Sequence, residues 1–181
     1  MGAVRGRLRL LAAVLAVLLV AVAAYWLLLR QDVAEPRVAV PKLAATIGEG
    51  SDAIGVAGNG ALVRWLPLPE DPPLPQLPLD GPPKGGRVKG TALAQVRVLA
   101  AVPEALRPYI ASSGFGESGV EVELTTGVEV LFGDATQAER KWKAAAAVLA
   151  DPSVTTLDYV NVIAPGNPSF GGEGHELPPS P

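Results

Sequence analysis

Cysteine is absent from this sequence, and 181 residues contain a single histidine, His175. The first absence excludes disulfides, thiolate nucleophiles and Cys-ligated zinc. It does not fix the redox compartment, because many exported domains manage without disulfides. The second leaves imidazole catalysis to one residue in a Gly- and Pro-rich tail, where nothing holds a base in place. Only carboxylates remain to ligate a transition metal, so the sequence calls for no catalytic residue, no cofactor and no metal. Aromatics are scarce, at three each of Trp, Tyr and Phe. Acidic residues are missing from the first thirty positions: all 18 follow Arg30, against 11 basic ones there, so that part carries a formal charge of −7. Such a balance disfavours a nucleic-acid partner.

Long apolar runs are also missing, with one exception. Leu10 to Leu29 is twenty residues without a charge, which as a helix spans roughly 30 Å of hydrocarbon. Tyr25, Trp26 and Arg30 close it with interfacial residue types, and Arg5, Arg7 and Arg9 flank the other end. The expectation is a single-pass anchor in the plasma (inner) membrane, with residues 1–9 cytoplasmic, 10–29 spanning and the rest outside. A cleaved signal peptide with Ala21-Val22-Ala23 as its processing site is the competing reading, but the run exceeds the roughly 15 apolar residues of such segments.

Residues 30–50 lack a sustained period and read as a tether, with the folded domain over 51–172 and a disordered tail over 173–181. Asn59-Gly60 between Ala53–Val56 and Ala61–Trp65 predicts a hairpin with a type I′ turn. Eight prolines between Pro67 and Pro83 predict a wrapped loop or spacer. A helix follows over Thr91–Ala101, and Pro103-Glu104 opens a second short one. Val120, Val122 and Leu124 alternate with Glu121 and Glu123, and Val128, Val130 and Phe132 alternate around Glu129, which predicts a second hairpin. Asp134 with Gln137 is placed to cap a helix whose face is Trp142, Ala145, Ala146 and Leu149. Leu157–Ile163 reads as a strand, and Pro165-Gly166-Asn167-Pro168 as a turn before Ser169-Phe170. The fold class expected is α+β, one mixed or antiparallel sheet with flanking helices.

Two patterns imitate chemistry. Glu121, Glu123 and Glu129 resemble an acid/base or calcium cluster, but alternation with valines puts them on the solvated face of a half-buried sheet. Gly114-Phe115-Gly116-Glu117-Ser118-Gly119 fits G-x-G-x-x-G, yet a helix precedes it and a strand follows, the reverse of what a pyrophosphate site needs. Its glycines read as a flexible loop.

The order of elements, the runs Val120-Glu121-Val122-Glu123-Leu124 and Gly127-Val128-Glu129-Val130-Leu131-Phe132-Gly133-Asp134, Lys141, and Leu157-Asp158-Tyr159-Val160-Asn161-Val162 together resemble the C-terminal β-domain of the bacterial division proteins FtsQ/DivIB. The resemblance covers about residues 53–172 plus the anchor. It implies a non-enzymatic divisome scaffold that binds an FtsB/FtsL coiled-coil pair outside the membrane, by offering a terminal strand to a segment of FtsB. The matching positions are Asn167, Ser169, Phe170 and Gly171. Such proteins place a polypeptide-transport-associated domain between membrane and β-domain, and only twenty residues separate Arg30 from Ser51. Lys141 matches a lysine of the family, but beside Glu139 and Lys143 it reads as an exposed helix charge. The alternative function is a membrane-anchored or secreted binding module unrelated to division.

Overall fold

The computed structural model describes residues 40–179, which fold as α+β with two sheets rather than the single sheet expected. The segments 1–9 and 10–29, most of the tether and the last two positions of the tail lie outside the described residues. Among the described residues no helix is long and apolar enough to cross a membrane.

The first sheet has the order β1 (Leu43–Ile47), β2 (Ile54–Ala57), β3 (Leu62–Val63), all antiparallel. β1 lies inside the stretch read as a tether, and the domain therefore begins at least eight residues before Ser51. Its five residues are all buried, so the alternation that marks a half-buried strand is missing. The β2–β3 hairpin forms, but not through a type I′ turn: Asn59 keeps a negative φ and only Gly60 is left-handed, at φ +84°. Ala57 N–H donates to Ala61 C=O and Gly60 N–H to Ala57 C=O, a three-residue loop in which glycine takes the bulge position. The proline-rich loop then wraps back along β1, with Thr46 N–H donating to Pro75 C=O at 3.0 Å and Leu77 N–H to Thr46 C=O at 2.8 Å.

The second sheet runs in the order β4 (Ile110–Gly116), β5 (Gly119–Leu124), β6 (Glu129–Gly133), β7 (Thr156–Asn161), β8 (Ser169–Glu176). Its pairs are antiparallel except β6–β7. β4 replaces the flexible loop expected at Gly114–Gly119. A register shift between Ile110 and Ser112 breaks its period and hides it from a pattern search. The β5–β6 hairpin is as expected, with Val120, Val122, Leu124, Val130 and Phe132 buried. Glu123 and Glu129 face each other directly across the strands. That repulsion costs at most about 1 kcal/mol in solvent, whereas each buried apolar side chain contributes about 1.5–3 kcal/mol, so the alternation sets the register.

Helix α1 (Gly90–Ala100) touches β1 and β2 of one sheet and β4 and β5 of the other, so a single core joins both sheets. A buried Ser113 hydroxyl donates to Gln95 Oε1 at 3.2 Å and fixes α1 on β4. Helix α2 (Ala138–Leu149) is the crossover between parallel β6 and β7. Its fully buried Trp142 tilts against Phe132 at 4.7 Å between ring centroids and donates from Nε1 to Val98 C=O at 2.8 Å. Asp134 does not cap this helix with Gln137, as the pattern suggested: Gln137 sits at φ 53° with no capping bond. The Asp134 carboxylate instead accepts from the Thr136 N–H and hydroxyl and from Lys141.

Lys141 departs from the expectation. It is not an exposed helix charge: it is buried, and its ammonium donates to Phe132 C=O at 2.8 Å, Asp134 C=O at 2.9 Å and Asp134 Oδ1 at 2.8 Å. Among the described residues this is the one ion pair, so Glu139 and Lys143 do not form theirs. Asp134 is 68% exposed, which screens the charge term; the two carbonyl bonds carry more of the lock. Lys141→Met should therefore cost about 2–4 kcal/mol by leaving buried carbonyls unpaired, and Asp134→Asn under about 1 kcal/mol, as checked by urea unfolding. The Lys141 hydrogen bond, helped by Thr136, lowers the Asp134 carboxyl from 3.8 to about 2. Since the folded value is depressed, this stabilisation is complete above about pH 4 and is lost as pH falls towards 2; Asp134→Asn should flatten that limb of the stability curve.

Candidate partner-binding edge

Four of the edges in the two sheets are not alike. β1 is covered by the proline-rich loop, and β3 by residues 86–88, where Leu62 N–H donates to Gly86 C=O at 3.0 Å and Val88 N–H to Gly60 C=O at 2.9 Å. The five-stranded sheet ends in β4 on one side and β8 on the other. β8 is the last strand of the chain and almost wholly exposed.

β8 is not what the sequence suggested at its far end: the strand continues to Glu176, through residues expected to be tail. His175 consequently lies in a strand opposite Leu157, exposed. The turn before it forms as expected, with Asn167 N–H donating to Ala164 C=O at 3.0 Å. Pro168 stands immediately before the strand, so it removes no donor from β8 and marks where pairing starts.

The candidate residues Ser169, Phe170 and Gly171 pair in order with Asn161, Val160 and Tyr159, and Asn167 is exposed in the turn just outside the ladder. After Gly171 the register shifts, so that Gly172–Gly174 stand opposite Asp158 alone. The Asp158 carboxylate accepts the Gly174 N–H at 2.9 Å and occupies the space a Cβ on Gly172, at φ +91°, would need. A bulge of this kind interrupts an edge. It splits the strand into two regularly paired stretches, Ser169–Gly171 and His175–Glu176; the first holds three of the four candidate positions, and Asn167 lies outside it.

Two aromatic side chains beside the first stretch are partly exposed. Phe170 is 46% exposed although it faces buried Val160, because it lies at the rim of the helix-covered side. Tyr159, on the opposite face, is 39% exposed and lies over Gly171, its hydroxyl oxygen 3.3 Å from where a Cβ would stand. Tyr159 was not among the residues singled out, though alternation with buried Val160 and Val162 places it outward.

No protein-family model matches this chain, and no curated protein matches it. The likeness to FtsQ/DivIB is carried by the quoted residues alone.

Of the remaining candidates, Glu123 and Glu129 are brought together, directly opposite each other on β5 and β6. Glu123 and Glu129 are solvated, Glu123 accepting the Ser112 hydroxyl at 3.0 Å. Gly114 to Gly119 form the end of β4 and the turn into β5, with no helix N-terminus following them. Among the described residues no group of three or more His, Asp or Glu stands close enough to hold a metal ion.

Replacing Gly172 by Val should destabilise the fold by about 1–3 kcal/mol, through the left-handed backbone and the Asp158 contact. Phe170→Asp should cost about 1 kcal/mol, because Phe170 is half-buried against Val160. Thermal unfolding followed by circular dichroism compares the two.

Proposed function

We propose that this chain is a non-enzymatic, single-pass scaffold of the bacterial division machinery, of FtsQ/DivIB type, that holds an FtsB/FtsL-like coiled-coil pair outside the membrane by strand addition to β8. The observation that carries this reading is the uncovered β8 edge: loops cover β1 and β3, β4 and β8 are both unpaired on one side, and β8 presents Ser169–Gly171 with an exposed Phe170 beside them. An unpaired edge is a template for a partner strand.

Magnitudes decide what the partner must supply. Only alternate residues of a strand turn their amide and carbonyl outward, and each net backbone bond contributes about 0.5–1.5 kcal/mol. Three residues of template cannot give stable binding by pairing alone. The partner must also cover Phe170 and Tyr159, and a coiled-coil partner extending from a strand segment supplies the further contact area.

A second reading follows from the chain between anchor and domain. With β1 starting at Leu43, twelve residues separate it from Arg30, too few for the domain that FtsQ/DivIB proteins carry there. An anchored extracytoplasmic module would use the same edge for a partner outside the divisome.

The test is binding of the full chain in nanodiscs to the extracytoplasmic segments of an FtsB/FtsL-type pair from the same organism. Saturable binding, weakened at least tenfold (about 1.4 kcal/mol) by Phe170→Asp and unchanged by Phe115→Asp on the β4 edge, is the expected result. Equal loss from both variants, or no binding, contradicts it.

A further inference from the structure

We propose that the free edge of β4 takes a second partner by strand addition: an extended polypeptide segment with Lys or Arg at alternate positions. This inference is independent of the division reading, which uses the opposite edge of the same sheet.

The ladder between β4 and β5 is regular from Ser112 to Gly116, beyond the register shift at the Ile110 end. Among the described residues no backbone group bonds to the outer side of this stretch. Soluble proteins blunt such edges with lysine, proline, bulges or very short strands. Ser112–Gly116 carries none of these, and it is longer than either regular stretch of β8.

The two faces of β4 differ. On one, the Ser113 hydroxyl bonds to Gln95 of α1, and Phe115, two residues on, is half-exposed beside Ala94 and Ala135. On the other, Ser112, Gly114 and Gly116 are small, and acidic side chains of β5 lean across them towards the edge. Glu123 accepts the Ser112 hydroxyl at 3.0 Å, and the Glu121 carboxylate lies over Gly116, in the space a Cβ there would need. Neither carboxylate has a cation within 4.0 Å among the described residues.

This geometry sets the sequence of the partner. In a strand added to β4, every second side chain lies on the carboxylate face. Two strand spacings, roughly 10 Å, separate that strand from β5, and a Lys or Arg reaching over the glycines closes the gap to Glu121 and Glu123. The intervening side chains fall on the Phe115 side, where apolar ones fit. A second copy of this chain does not, because pairing β4 with β4 would bring the carboxylates of both copies together. The formal charge of −7 beyond Arg30 also favours the approach of a cationic segment.

Fluorescence anisotropy with the full chain in zwitterionic nanodiscs and a labelled, end-blocked peptide Thr-Lys-Val-Lys-Val-Lys-Thr tests this, with empty nanodiscs as the blank. Saturable binding with Kd of about 0.1 mM is expected, at least tenfold tighter than for the peptide with Glu in place of Lys. Combining Glu121→Gln with Glu123→Gln should remove that preference. Glu129→Gln, one strand further from the edge, should change Kd less than twofold, and Phe170→Asp on β8 should leave it unchanged. If the double variant fails to fold, each single one should weaken binding several-fold. Amide hydrogen exchange should slow at the outward amides of Ser112–Gly116 when the peptide binds. A lysine peptide that fails to saturate, one bound no more tightly than its glutamate counterpart, or binding that leaves those amides as fast as in the free chain, overturns the proposal.

Discussion

The ammonium of Lys141 spans 2.8–2.9 Å to two backbone carbonyls at the end of β6 and to the Asp134 carboxylate, and much of the second sheet depends on that clasp. It fixes the entry to α2, where Gln137 supplies no cap and adopts a left-handed backbone instead. Trp142, the next residue, then turns into the core and bonds to α1 through Val98. With the crossover helix held, β7 lies parallel beside β6, and β8 returns antiparallel with no neighbour beyond it. The place of β7 and β8 in the sheet thus rests on how this crossover is anchored.

The same logic separates the two ends of the molecule. The proline-rich loop cannot form a ladder of its own, because proline lacks the donor. It covers β1 with the few donors it retains, Leu77 among them, and its rigid arches leave a cavity against α1 and β4. One sheet is closed by its loops, and the other ends in two unpaired strands, β4 and β8. The proposed scaffold function uses β8 of the second.

Much of this was legible in the sequence where period and burial agree. The 120–132 hairpin and most of the Trp142 face follow from alternation or helical spacing, although Val148 rather than half-buried Ala146 completes that face, and the strand expected over 157–163 forms over Thr156–Asn161. Elements that break the period were not legible. β1 is buried at every residue, β4 and β8 carry register shifts, and glycines in both suppress the side-chain signal. Lys141 was misread because residue type outweighed position: it stands at i, i+4 and i+7 with buried Ala145 and Val148, which puts it on the core-facing stripe. The candidate edge was located through resemblance to a family; its limits at Pro168 and Gly172 come from backbone geometry alone.

Amide hydrogen exchange across β7 and β8, with and without the extracytoplasmic FtsB/FtsL-type segments, tests the central claim. In the free chain, amides of Ser169–Gly171 that point away from β7 should exchange fast while their neighbours in the ladder are protected. Partner binding should slow the outward amides between Pro168 and Gly172 and leave those of β4 unchanged. Binding that leaves the Ser169–Gly171 amides as fast as in the free chain would contradict strand addition at this edge.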